Sequence, residues 1–247
     1  MSVTDKQRDF REELYKGYVS AFKKENLNET AQAQAAYDHW SKARYYPLFS
    51  DLPKDATILD LGCGPGRTMQ FLKSKGFANV VGVDISEEQT AIARKRGLNA
   101  ITADVNDFLV QHANEYDMII MIDVVEHFTK LELLDLFKLI HYSLKKGGIV
   151  VYQTCNGEGM YPNQIMFGDL THMTILSAGS SEQLLRACGF DNISFADTAP
   201  VPTGLKGILR SIAWKFITRK ASLIRRIETG KKHKIWTENF ISRAQKV

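Results

Sequence analysis

The chain has little that would tie a fold together covalently or through a metal. It holds three cysteines in 247 residues, Cys63, Cys155 and Cys188. They are scattered and odd in number, and they form no C-x-x-C pair, which argues against a disulfide framework and a thiolate zinc site. The opening stretch MSVTDKQRDF has no apolar signal core. No run approaches the roughly 18 uninterrupted apolar residues of a spanning helix. Internal repeats and low-complexity tracts are absent too. These absences predict a protein of the reducing cytoplasm that does not cross a membrane, although it can lie on the inner face of one.

What is present is ordinary for a soluble globular protein: 44% hydrophobic and 24% charged residues. The length suits one sizeable α/β domain with an insertion. The charge is unevenly placed. Of the net +4, the stretch 204–234 carries +9 and the remainder −5.

Periodicity divides the chain into 1–55, a helical cover; 56–200, an α/β core; 201–234, the basic insertion; and 235–247, a closing strand. Phe10, Leu14, Tyr18 and Phe22 repeat at i, i+4 steps and predict a helix from Thr4 to Lys24. A second helix is expected from Glu29 to Tyr46. Strands are expected at Thr57–Leu61, Asn79–Val83, Ala100–Thr102, Tyr116–Ile122, Ile149–Thr154 and Asp191–Phe195. Between them come helices at Gly66–Lys75, Glu87–Arg96 (capped by Ser86 and stopped by Gly97), Lys130–Leu144 (closed by Gly147 and Gly148) and Ser180–Cys188. Such alternation means a parallel, doubly wound sheet.

The most informative segment is Ile58-Leu-Asp-Leu-Gly-Cys-Gly-Pro-Gly66. An apolar strand runs into glycines at 62, 64 and 66, so backbone can approach a ligand with no side chain in the way. Eighteen positions after Gly66, Val80-Val-Gly-Val-Asp84 ends a second strand in a carboxylate. Asp84 can accept two hydrogen bonds from a ribose diol, with helix capping as its plain alternative. The spacing is G-x-G-x-G, whereas the dinucleotide fingerprint places its third glycine one residue later. This disfavours a nicotinamide oxidoreductase.

The segment D-L-G-C-G-P-G-R resembles motif I of class I S-adenosylmethionine-dependent methyltransferases, and the likeness extends over roughly Thr57 to Phe190. It implies a seven-stranded Rossmann-like sheet with S-adenosyl-L-methionine as cofactor. Gly62, Gly64 and Gly66, with Cys63 between them, are then expected to cradle the methionine part, and Asp60 to orient the turn and the bound amine. Asp84 and Ile85 belong to the ribose end. Asp104 in Thr-Ala-Asp-Val is expected to accept from the adenine amino group and Val105 to offer its backbone N–H, unless Asp104 only caps a short helix. Some relatives clamp the cofactor carboxylate with an N-terminal Arg or Tyr, which makes Arg44 a candidate.

After the fourth strand comes Ile122-Asp-Val-Val-Glu-His-Phe128. It resembles the E-x-x-E-H segment of ubiquinone-type small-molecule O-methyltransferases, with Asp123 replacing the first acid. Ile122 and Asp123 are expected to touch the cofactor, and Glu126 and His127 to act in catalysis or simply to pack. The segment lacks the Asn/Asp-Pro-Pro-aromatic motif of enzymes that methylate amino groups on nucleobases or glutamine, so nucleic acid is not expected as a partner. His172 lies in Asp169-Leu-Thr-His-Met-Thr-Ile-Leu-Ser177, a loop this topology hangs over the ligand-binding edge. That stretch and Cys188-Gly-Phe190 resemble methyltransferases of bacterial polysaccharide biosynthesis. His172 and His127 are equal candidates for a general base. Asp123, Glu126 and Asp169 offer oxygen atoms, but no spacing requires a metal.

The expected reaction is O-methylation of a sugar hydroxyl on a bacterial glycan or its lipid-linked precursor. The alternative acceptor is a membrane-associated small molecule such as a quinone precursor. A catalytically silent module that keeps the cofactor pocket is the competitor of another class.

The insertion reads as an amphipathic helix from Leu205. Leu205, Ile208, Leu209, Ile212, Phe216, Leu223 and Ile227 form one stripe, with Trp214 opposite. Either the stripe packs on the domain and the cations are solvated, or the segment 204–234 lies on an anionic membrane surface or grips an anionic glycan.

Overall fold

The computed structural model describes residues 13–15, 20 and 30–247. Glu13, Leu14 and Tyr15 are helical; the rest of the helix expected over Thr4–Lys24 lies outside the described residues, Ser20 aside. The cover helix α1 spans Ala31–Arg44 and starts at Thr30, whose hydroxyl accepts from the Ala33 N–H. After Arg44 the chain passes into a 3-10 turn, Tyr46–Leu48, with Pro47 in its first turn, where a missing N–H breaks no helical bond.

The core alternates as expected: β1 (Thr57–Leu61), α2 (Arg67–Ser74), β2 (Asn79–Asp84), α3 (Glu87–Lys95), β3 (Ala100–Thr102), α4 (Val105–Leu109), β4 (Tyr116–Ile122), α5 (Lys130–Ser143), β5 (Leu144–Cys155), α6 (Asn163–Phe167), α7 (Ala178–Ala187), β6 (Phe190–Asp197), α8 (Gly204–Thr229) and β7 (Asn239–Lys246). Seven strands form one sheet in the order β3-β2-β1-β4-β5-β7-β6. Pairs among β1 to β5 are parallel, and β7 runs antiparallel between β5 and β6. The closing strand therefore arrives only after the 41-residue excursion that contains α8.

β4 shows how the sequence builds the layers. Its run YDMIIMI is apolar at successive positions because both faces of the strand are covered. Ile119 and Met121 join the cluster with Leu136, Phe137 and Tyr152, while Met118 and Ile120 join the cluster with Met69, Phe71 and Leu72 on the other face. α5 ends at Ser143 rather than at the glycine pair, and β5 begins at once. Gly147 (φ 81°) and Gly148 serve a register shift opposite Tyr116–Met118. A Cβ on Gly148 would meet the Lys145 and Tyr116 carbonyl oxygens at 2.9 and 3.0 Å. The pair is an irregularity inside a strand, not a helix stop.

Candidate active site

A cleft of about 840 Å³ opens at the C-terminal edge of the parallel strands. Ligands bind there in open α/β sheets. At its centre the β1–α2 turn brings bare backbone to the surface. Gly62 (φ 69°) and Gly64 (φ 52°) line the cleft in left-handed conformations. The Gly62 and Cys63 N–H groups donate to the Val83 carbonyl at 2.7 and 3.0 Å, which fixes the turn against β2. Cys63 meets the cleft through its backbone. Its thiol lies beneath Gly82, where an added Cβ would come within 2.7 Å of Sγ, and burial pushes it well above the usual thiol range.

Two expected contacts sit behind the cleft wall. Gly66 (φ 88°) faces inward, where an added Cβ would meet Leu98 Cδ1 at 2.2 Å and Ala93 Cβ at 3.3 Å. Its bareness serves helix packing, and Gly62–Gly64 are the part of the turn that lines the cleft. Asp60 is also removed from the surface. Burial and then the nearby Asp84 charge raise its carboxyl well above the usual range, and Oδ2 has no hydrogen-bond partner among the described residues.

Asp84 is 8% exposed and lines the cleft. Its Oδ2 accepts from the Gly64 N–H at 2.9 Å and its Oδ1 from the Ser86 N–H at 2.8 Å. Both oxygens are thereby aimed, and each keeps lone-pair capacity for a diol. Burial raises its pKa, and these two N–H groups pull it back. Ile85 remains 45% exposed beside it, an apolar shelf at the cleft wall. Asp104 does cap α4, yet Oδ1 takes both bonds, from the Asn106 and Asp107 N–H groups. Oδ2 makes none among the described residues, so capping leaves that oxygen open toward the cleft. Val105 lines the same end.

Sequence reasoning missed three polar groups here. Gln89 Oε1 and Asn106 Oδ1 are buried without a partner among the described residues, on residues that line the cleft. Tyr37 from α1 lines the wall by Gly64 and donates to or accepts from Thr68 Oγ1 at 2.7 Å. Only the fold brings α1 to this turn. A bare-backbone cradle, an aimed carboxylate, an apolar shelf and orphaned polar atoms fit a donor bearing an amine, a ribose diol and an adenine ring.

Arg44 does not reach the cleft. Its guanidinium pairs with Asp197 at 2.9 Å and donates to the Ala199 and Pro200 carbonyls. It anchors α1 to the junction between β6 and α8.

Ile122 and Asp123 line the opposite wall. Asp123 takes φ 55°, an uncommon turn for a non-glycine. A chain of bonds holds it: the Tyr45 hydroxyl donates to Gln153 Oε1, and Gln153 Nε2 donates to Asp123 Oδ1, both at 2.9 Å. The Val125–His127 turn that follows is stapled to the β5–α7 loop, because the Glu126 carbonyl accepts from the Met173 and Thr174 N–H groups at 2.7 and 3.1 Å. This staple brings His127 and His172 together, with ring centroids 4.9 Å apart.

The three catalytic candidates have different environments. Glu126 is 1% exposed. Thr154 Oγ1 donates to it at 2.8 Å and the Cys155 thiol lies 3.6 Å away. Burial, then the Asp123 charge, pushes its carboxyl up to about 8. Burial thus favours its protonated, hydrogen-bonded form. His127 is committed to protein partners. Its Nδ1 lies 2.8 Å from Thr171 Oγ1, whose hydroxyl also reaches Asp169 Oδ1 at 2.6 Å. Burial, then the neighbouring His172, lowers it to about 4. His172 is half-buried on the cleft wall, and its Nδ1 has only the Cys155 thiol, at 4.0 Å. Its Nε2 makes no hydrogen bond among the described residues.

Donor atoms of Glu126, Cys155 and His172 lie within 4.8 Å of one another. Burial and the Glu126 charge push the Cys155 thiol up, as burial does the carboxyl. A metal held there would have to displace both protons.

Comparison with known proteins agrees with this geometry. A family model described as a methyltransferase domain matches residues 31–195. The ubiquinone biosynthesis O-methyltransferase of Hydrogenovibrio crunogenus is 32% identical over 112 residues, 42% of this chain and 44% of that protein. The 24-methylenesterol C-methyltransferase 2 of Arabidopsis thaliana is 37% identical over 101 residues, 38% of this chain and 27% of that one. The chain thus matches less than half the length of these relatives. A SAM-dependent methyltransferase from Archaeoglobus fulgidus has the same fold, with a TM-score of 0.65 at 19% identity over 86% of this chain and 94% of that one. Haemonchus contortus phosphoethanolamine N-methyltransferase 2, solved with S-adenosyl-L-methionine, gives a TM-score of 0.61 at 15% identity over 94% of this chain and 59% of that one. With the glycine turn, the aimed Asp84 and a family match over most of its length, the chain belongs to the methyltransferase domain family, in its class I, S-adenosylmethionine-dependent form.

Proposed function

We propose that the protein methylates a hydroxyl of a small molecule of the quinone-precursor kind. The comparisons favour this acceptor over the sugar hydroxyl first expected from the sequence: the relatives that resemble it include ubiquinone biosynthesis O-methyltransferases. The observation that carries the chemistry is His172, a cleft-facing imidazole whose Nε2 has no hydrogen-bond partner among the described residues.

When bound, S-adenosylmethionine supplies a methyl already activated on a sulfonium. Gly62 and Gly64 would hold it close to backbone, Asp84 would orient the ribose, and Asp104 and Val105 would orient the adenine. Ile122 and Asp123 line the wall opposite these residues. The remaining requirement is an oxygen in line behind the carbon, with its proton removed. With the cofactor bound, His172 Nε2 would accept the acceptor hydroxyl's proton. His127 acts as a positioning residue. Its low pKa keeps it neutral, so it adds no charge that would weaken His172 as a base. A phenolic hydroxyl, with a pKa of about 10, gives up its proton to such a base far more readily than a sugar hydroxyl does.

Labelled methyl transfer from the cofactor to catechol-type acceptors and to free sugars tests this. Catechols are expected to accept the label. His172→Ala is expected to lower turnover by about 10²–10⁴-fold with cofactor affinity unchanged. Full turnover in that variant removes His172 as the base, and labelled sugars without labelled catechols reverse the acceptor.

A further inference from the structure

Helix α8 is attached with its apolar side outward. At about 100° per residue, Leu205, Leu209, Ile212, Phe216, Leu223 and Ile227 fall within about 60° of arc. A surface helix ordinarily turns such a stripe to the core. Here the six residues are 58–78% exposed. The side that meets the domain is the opposite one, built from Gly207, Ser211, Trp214, Thr218 and Ser222. Ser211 Oγ donates to the Pro200 carbonyl at 2.8 Å, and Ser222 Oγ accepts from Trp236 Nε1 at 2.8 Å. The polar residues of this helix hold it to the protein, and its apolar residues are left for something else.

The charges frame the stripe. By the same spacing Lys215, Arg219 and Arg226 run along one flank, and Lys206 and Lys220 along the other. Glu228 is the one acid among the ten cations of 204–234. Long cationic stems beside an apolar stripe suit a helix lying in the plane of a membrane interface, with heads at the phosphates and the stripe beneath them.

The helix is also rooted at the working edge of the molecule. β6 runs parallel to β5, so α8 leaves from the edge that carries the cleft. The chain returns to that edge, where Glu238 and Asn239 line the cleft. Both roots are fixed: Thr203 Oγ1 pairs with His39 Nε2 at 2.6 Å, and Asn156 Nδ2 donates to the Ile235 and Thr237 carbonyls at 3.1 and 2.9 Å. Met160 N–H donates to the Trp236 carbonyl at 3.0 Å, which ties in the segment that exposes Tyr161, Phe167 and Leu170.

We infer that α8 docks on an anionic lipid bilayer, its apolar stripe in the interface and its flanking cations at the lipid phosphates. This places the cleft mouth beside the surface and stands whatever the acceptor proves to be. The test is sedimentation of the 247-residue chain with vesicles of phosphatidylglycerol and phosphatidylcholine, against phosphatidylcholine alone. Binding is expected only with the anionic vesicles and is expected to weaken as salt rises. Each Lys/Arg→Gln change on the flanks is expected to lower partitioning roughly fivefold. The double variant Ile212→Asp, Phe216→Asp is expected to abolish binding while calorimetry shows unchanged affinity for S-adenosylmethionine, which also certifies the fold. No binding to anionic vesicles overturns the inference. So does binding that soluble heparin displaces and that the double variant retains, which marks an anionic polysaccharide site. Light scattering that shows a dimer, dissolved by the double variant, overturns it too, because the stripe then belongs between two copies.

Discussion

At the scale of single residues, burial sorts side chains that look interchangeable in the sequence. Glu126 and His127 are neighbours, and burial moves them in opposite directions because it penalises the charged form of each. Glu126 rises from 4.5 to about 8. From about 4.5 to about 8 the unfolded chain has released this proton while the folded chain keeps it, so its contribution to stability falls as pH rises through that window. His127 behaves inversely: unfolded chains protonate near 6.5 and the folded protein only near 4, so stability is lost as pH falls between those values. Glu126→Gln mimics the neutral carboxyl. Urea unfolding across pH is expected to show the variant gaining on the native protein above pH 5, by up to about 1.4 kcal/mol per pH unit. Parallel profiles would mean that Glu126 is ionised in the fold. The sequence showed that these residues sit together after β4. It could not show which is solvated, since the Met173 and Thr174 N–H groups that close the site come from a loop nearly fifty residues later.

Among elements, the β1–α2 turn separates what sequence pattern can and cannot reveal. The strands and the turn were legible because apolar runs and alternate glycines are local signals. The division of labour among the glycines was not, because it depends on where α3 and the chain after it arrive. Gly64 meets only the flexible end of Gln89 at 3.2 Å, whereas Gly66 meets Leu98 and Ala93. Both have positive φ. Gly66→Ala combines left-handed strain with overpacking and is expected to cost about 2–4 kcal/mol in chemical denaturation. Gly64→Ala carries the strain alone, about 1–2 kcal/mol, but sets a methyl at the cleft wall and is expected to weaken cofactor binding. Equal stability losses would show that the packing against α3 is not what fixes Gly66. α6 and the bulge at Gly147–Gly148 escaped prediction for a related reason. Five residues carry too little periodicity to read, and a register shift is a property of two strands together.

For the molecule as a whole, the cover helix and the cleft are joined at two places with different consequences. Tyr37 belongs to the cleft wall. Arg44, on the same helix, faces away and fastens α1 to the root of α8 through Asp197 and two carbonyls. The sequence allowed Arg44 to clamp the cofactor, since α1 had no fixed orientation until its packing on α2 was known. Ligand linkage tells these roles apart. S-adenosylmethionine at a hundred times its dissociation constant stabilises the folded state by about 2.7 kcal/mol, a rise in Tm of about 5–11 °C for a chain of this size. Asp84→Asn is expected to remove most of that rise if this carboxylate takes the proposed ribose contact. Arg44→Ala is expected to lower the Tm of the ligand-free protein, through loss of a half-buried pair, and to leave the ligand-induced rise intact. If Arg44→Ala abolishes the rise and leaves the ligand-free Tm unchanged, then Arg44 swings into the cleft on binding, and α1 is a moving part of the site rather than its fixed wall.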